Sequence, residues 1–324
     1  MVPKLNHGIM YIEQGYKGTP PLWKYLFLPL GFIGFMAFNY IFTVNSAVSV
    51  EDTMEIMIKQ FGANLVLIML LIPLVAGFFV VLGWTRLVHQ QSLTALTTSR
   101  SKIDWGRIFF AFGLWSLLTI AITGIDIYFS PEDYIWNFEV KKFIPLAIIA
   151  VLLIPLQTSF EEYLFRGYMM QGLGLAVKNR WVPLVVTSVL FGLMHIANPE
   201  VEKLGLGIMV YYIGTGFFLG ILTLMDEGLE LALGFHAANN LTAALLVTAD
   251  WTAFSVDSLY RDISDPVLGW DILIPVFVVF PLLLLVFAKK YGWTNWSDRL
   301  FGKVMDHAEF TNHVSSKSQD AKSS

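Results

Sequence analysis

The sequence predicts an all-α, polytopic membrane protein of about eight transmembrane helices. The 324 residues are 56% apolar and 15% aromatic, and only 14% are charged. A globular domain carries about 25% charged residues. The apolar residues are also gathered into long runs, and a spanning helix needs about 20 of them in succession. The Lys and Arg residues between the runs fall unevenly on alternate sides of the implied membrane.

Eight runs satisfy the first requirement, at roughly 25–45, 63–84, 107–129, 143–160, 181–197, 204–225, 230–248 and 268–288. The polar 24-residue stretch before the first run is unlike a cleavable signal peptide. It reads as an N-terminal cytoplasmic segment, 1–24, followed by a membrane domain, 25–288, and a C-terminal cytoplasmic segment, 289–324. With the N-terminus inside, the inner segments hold Lys4, Lys17, Lys24, Arg86, Arg100, Lys102, Arg107, Lys178, Arg180, Lys289, Lys290, Arg299 and Lys303. The outer loops hold Lys59, Lys141, Lys142, Lys203 and Arg261. That excess places both termini in the cytoplasm. Residues 307–324, ending "VSSKSQDAKSS", have the composition of a disordered tail. The acids Asp250, Asp257, Asp262 and Asp265 mark a solvated outer loop. Gly216 and Gly220 form a GxxxG pair in the sixth run, a sign of close helix packing. The chain has no cysteine, which excludes disulfides, thiolate metal sites and a cysteine nucleophile.

The stretch "TSFEEYLFRGYMMQ", Thr158 to Gln171, interrupts this pattern with Glu161, Glu162 and Arg166. Charged groups within a bilayer are costly and mark function more often than packing. Glu162 and Arg166 are four apart and share a helix face, so an ion pair accounts for them. Glu161, about 100° around the helix from Glu162, is left without a partner by that pairing. "FGLMH" supplies His195, and "HAANN" supplies His236 with Asn240 one turn later on the same face. Helix–helix hydrogen bonding explains each of these alone. It does not require two acids, an arginine, two histidines and an asparagine together. Asn239 points elsewhere and reads as structural.

Lys178, Asn179 and Arg180 form the turn between the fourth and fifth runs. Glu161 precedes that turn by about 25 Å of helix and His195 follows it by about 22 Å, so the two reach similar depth in a helical hairpin. Glutamate and histidine together can hold and deprotonate a water. Burial would neutralise the acid, and a nearby Arg166 would keep it ionised. A second histidine and an asparagine amide supply donors for an oxyanion. The set suffices for amide hydrolysis. Thr158 and Ser159 are alternative nucleophiles, placed on the same helix as the acids.

EEYLFR fits EExxxR, FGLMH fits FxxxH and HAANN fits HxxxN, in that order on successive membrane helices. In this the chain resembles the CPBP, or ABI, group of intramembrane proteases, which includes the type II CAAX prenyl endopeptidases. The resemblance covers about 143–250. It implies that Glu161 and His195 activate water, that His236 and Asn240 hold the oxyanion, that Arg166 positions the acids and that Glu162 assists. It implies a peptide or membrane-protein substrate met in the lipid bilayer, not a nucleic acid, and a multi-pass protein of the bacterial cell membrane. Members that act on prenylated proteins remove their last three residues. No cofactor is expected; a zinc site made by Glu161, His195 and His236 is the alternative. The chain has no HExxH, GxSG or GxGD motif, which argues against site-2 type, rhomboid-like and presenilin-like proteases. The rival functions are a transporter or proton relay, a haem protein ligated by His195 and His236, and a non-catalytic bacteriocin-immunity protein.

Overall fold

The structure, a computed structural model, describes residues 10–19 and 21–323. Lys4, one of the inner cations above, lies outside the described residues. The chain opens with a 3-10 turn, Ile12–Lys17, and a second one, Leu22–Leu26, which runs into α1, Phe27–Val44. Helix α2, Val50–Phe61, precedes α3, Ala63–Leu87, and the short α4, Leu93–Thr97. Helix α5 is Trp105–Phe129 and α6 is Val140–Glu162. A π-helical turn, Tyr163–Met169, continues α6 into α7, Met170–Val177. Then come α8, Trp181–Leu193, α9, Pro199–Leu204, α10, Met209–Asp226, and α11, Glu230–Leu246. Helix α12, Trp270–Ile274, passes through a π turn into α13, Phe280–Tyr291, and α14, Trp296–Phe301, leads to α15, His307–Ser323.

Six of these helical rods are long and apolar enough to cross a membrane: 22–44, 63–87, 105–129, 140–177, 199–226 and 272–291. The other two expected runs form α8, of 13 residues, and α11, of 17 residues. Both are shorter than a bilayer demands; α11 is enclosed by neighbouring helices, whereas α8 buries one face and leaves Trp181 and Leu193 exposed. The chain still passes eight times between two faces, so the expected alternation of loops stands, with two of the passes short. The outer surface of the bundle carries large apolar side chains, among them Phe38, Phe42, Phe109, Leu117, Leu152 and Phe277. Such a belt is tolerated where lipid, not water, surrounds it.

The segments assigned to the inner side gather on one face. Arg180 donates to both carboxylate oxygens of Glu13, at 2.7 and 2.9 Å, with both side chains buried. Arg100 reaches Asp226 at 3.0 Å and Glu230 at 3.2 Å, and Arg107 also pairs with Asp226. Arg299 donates to the Met225 carbonyl, and Val304 N–H donates to the Lys178 carbonyl. The N-terminal turn is thereby clamped beneath the helix ends. The polar tail expected to be disordered is instead α15, and it packs near that turn through Phe310 and His307 against Tyr16. A helical register satisfies its backbone internally, which composition alone did not reveal.

On the opposite face a three-stranded ribbon joins the outer loops. Strand β1, Tyr134–Trp136, pairs antiparallel with β3, Tyr260–Asp262, and β3 pairs parallel with β2, Val247–Thr248. Lys59–Glu55, Lys142–Glu139, Lys203–Glu51 and Arg261–Asp250 are ion pairs of that side among the described residues.

Two predictions follow from this arrangement. In intact cells an impermeant thiol reagent is expected to label an Asp265→Cys variant and to spare Ser101→Cys; both positions are exposed, and the natural chain has no competing thiol. The opposite pattern would invert the topology. The second concerns Glu227, in the inner turn after α10, whose carboxylate accepts Tyr11 N–H. Burial raises its pKa from 4.5 to about 7, opposed by Arg180 and Arg299. Between those values the folded chain binds more protons than the unfolded chain, so stability declines as pH rises from about 4.5 to 7. The decline is on the order of 3 kcal/mol, and Glu227→Gln is expected to remove it in thermal unfolding scans across that window.

Candidate active site

The site is built where α6 changes pitch. Glu161 and Glu162 end the α-helical part, and the wider π turn begins at Tyr163. Such insertions recur at functional sites because they re-aim the side chains beside them. Arg166, inside the π turn, is fully buried. Its guanidinium donates to Glu162 Oε1 at 3.0 Å and to the Gly216 carbonyl on α10 at 3.0 Å. It also lies 4.1 Å from the Phe191 ring centroid on α8, a cation–π contact. Three helices therefore fix one cation.

That carbonyl is reachable because α8 and α10 touch. A Cβ on Gly216 would come within 2.4 Å of the Ser188 carbonyl, and one on Gly220 within 2.5 Å of Leu184. The GxxxG pair performs the close packing expected of it.

Glu162 Oε1 also accepts a hydrogen bond from His236 Nδ1 on α11, at 2.8 Å. A carboxylate only accepts, so the hydrogen is on Nδ1. The other ring nitrogen, Nε2, faces Glu161 Oε2 at 3.5 Å. Two lone pairs would repel there, so the contact is favourable only with a proton on His236 or on Glu161. Glu161 Oε1 accepts from Gln157 Nε2 at 2.6 Å, one turn earlier on α6. Asn240 Nδ2 donates to the same Gln157 at 3.4 Å, and its Oδ1 accepts from Asn239 at 3.1 Å. Asn239 is in turn held by Trp115 Nε1 at 3.1 Å.

His195 lies in the turn after α8. Its Nδ1 is 2.9 Å from the Phe191 carbonyl, an acceptor, so Nδ1 carries the hydrogen and Nε2 is left as a base. The ring stacks on Tyr212 of α10, 4.3 Å away and 14° from parallel. Thr158 Oγ1 donates to the Ile154 carbonyl of its own helix at 3.1 Å, an ordinary helical bond.

Glu161, His195, Asn240 and Gln157 line one cavity of about 500 Å³ that reaches the bundle surface between α1 and α3. Glu162 and Arg166 stand behind it, and His236, between Glu162 and Glu161, turns its Nε2 towards the cavity-lining Glu161. The six residues singled out from sequence thus converge on one place from three segments of chain. Gln157 and Tyr212 went unnoticed in the sequence, and Asn239, read there as structural, holds Asn240 from behind. Gln157 had a signal, since it shares the face of Glu161 four residues earlier; Tyr212 had none, being one aromatic among many. Among the described residues, no three His, Asp or Glu side chains gather closely enough to hold a metal ion.

Residues 140–242 match the model of a family described as Rce1-like, type II CAAX prenyl endopeptidase. The chain is also similar to the uncharacterized protein YyaK of Bacillus subtilis, 30% identical over 283 residues, covering 85% of this chain and 95% of that one. No solved structure matches. The fold and this family match together mark a multi-pass membrane protein of the CAAX-endopeptidase class. The chain belongs to the Rce1-like family, and the matched segment runs from α6 to α11, which carries all six site residues.

Removing one partner of a buried ion pair strands the other charge. Arg166→Ala is therefore expected to cost ~3–5 kcal/mol, lowering the thermal midpoint in detergent well below that of an exposed control such as Lys102→Ala. Equal midpoints would deny the pair its structural weight.

Proposed function

We propose that the protein is an intramembrane endopeptidase of the bacterial cell membrane that hydrolyses a peptide bond with a water activated by Glu161 and His195. The observation that carries this is the common cavity: a carboxylate, an imidazole with its Nε2 lone pair free and an amide donor face one space from three segments. Water held between Glu161 and His195 loses a proton as it attacks the carbonyl carbon. The tetrahedral oxyanion is received by His236 Nε2–H and by the second N–H of Asn240. Glu162 orients His236 by accepting from its Nδ1, and Arg166 in turn fixes Glu162 through their ion pair. The proton taken from water passes to the leaving amine. The mechanism is glutamate-type and metal-free, since each of these steps is assigned to a side chain already in position and the cation of Arg166 lies close behind. The substrate is a peptide or a membrane-protein segment entering through the bilayer.

Mass spectrometry of peptides incubated with the detergent-purified protein is expected to reveal defined cleavage products, absent with Glu161→Ala and with His195→Ala. Near-normal cleavage by Glu161→Ala would remove it from water activation. His236→Ala and Asn240→Ala are each expected to lower kcat about a hundred- to a thousandfold with KM little changed, as for loss of an oxyanion donor. A change confined to KM would make them binding residues. Activity is expected to survive chelators; loss restored by stoichiometric zinc would overturn the metal-free mechanism.

A further inference from the structure

One carboxylate in the catalytic cavity has no part in this chemistry. Glu200, the second residue of α9, lines the cavity together with Glu161 and His195. Its Oε1 accepts the Ala253 N–H at 2.8 Å, which ties α9 to the outer loop. Its Oε2 is sealed from solvent and has no hydrogen-bond partner among the described residues. A buried acceptor left unsatisfied is expensive, and a charged one more so. No Lys or Arg lines the cavity to compensate it.

The approach from the outer face has the same character. A second cavity of about 520 Å³ adjoins at Asn198, between the α1–α2 turn and α9, and it too is lined by an acid, Glu202, and by no Lys or Arg. Glu202 holds the start of α2 by accepting Val50 N–H at 3.1 Å. Low-dielectric walls concentrate the field of such acids along the path between them. A substrate group of positive charge is drawn inward towards the Glu200 carboxylate; a free carboxylate is repelled.

Building on the endopeptidase reading above, we propose that Glu200 is a specificity residue that receives a cationic side chain of the peptide substrate at the outer mouth of the catalytic cavity. The cation supplies the missing donor, and Glu200 sets where along the peptide a Lys or Arg must stand relative to the bond that is cut.

The test is a binding titration of the full-length protein in detergent, carrying Glu161→Gln to halt turnover and to remove the other cavity carboxylate. The probes are apolar nonapeptides, acetylated and amidated, with a single Arg walked through the positions. Each is compared with its citrulline counterpart, which has nearly the same shape and no charge. At one or two positions the Arg peptide is expected to bind about ten- to a hundredfold tighter, the scale of a hydrogen bond to a charged group. Adding Glu200→Gln, which keeps the acceptor for Ala253, is expected to abolish that preference. Equal binding of Arg and citrulline peptides at every position, or a preference that survives Glu200→Gln, would overturn the proposal. Cleavage of the same peptides by the natural protein separates the two readings. A Glu200-dependent Arg preference without any cleavage would sink the endopeptidase assignment alone, whereas cleavage without the preference would sink the role of Glu200 alone.

Discussion

Everything at the centre of this bundle depends on burying one guanidinium. Taking a charge out of water costs several kcal/mol even after relaxation, and an ion pair rarely recovers all of it. Arg166 is accommodated because three different kinds of partner meet it at once: a carboxylate, a backbone carbonyl and an aromatic face. Each partner comes from a different helix. The cation is therefore a three-way fastener, and the positions of α6, α8 and α10 are set by what it needs.

The consequence reaches the proposed chemistry through Glu162. One carboxylate oxygen serves both Arg166 and His236, so the orientation of the imidazole is inherited from the ion pair. His236 then presents its remaining nitrogen to Glu161, and Gln157 links Glu161 to Asn240. The groups nearest the cavity are held by groups behind them, which are held by the buried charge. Such layering fixes geometry before a substrate arrives, which is what electrostatic catalysis requires.

Much of this was legible in the amino-acid sequence. Glu162 and Arg166 declared their pairing by a four-residue interval, and Gly216 with Gly220 declared a close helix contact. His195 and Glu161 were placed at common depth by counting from the turn at Lys178. What stayed hidden was of two kinds. Local pitch was one: nothing in YLFRGYM announces a π turn, because the π and α registers differ by one hydrogen bond. The other was the length of α8 and α11. Their runs look like spans because burial among other helices and burial in lipid select the same side chains. The helical tail after His307 was missed for a related reason, since polar composition describes solvation and not backbone register.

Gly216 carries a consequence of its own. Its missing side chain lets α8 approach, and its carbonyl oxygen caps the guanidinium from α6. Two demands of different origin, one steric and one electrostatic, are met by a single backbone position. The spacing of two helices and the charge state of a site on a third are thus not separable variables. Widening the α8–α10 seam would therefore also loosen the arginine, so helix spacing and buried charge answer to one atom position.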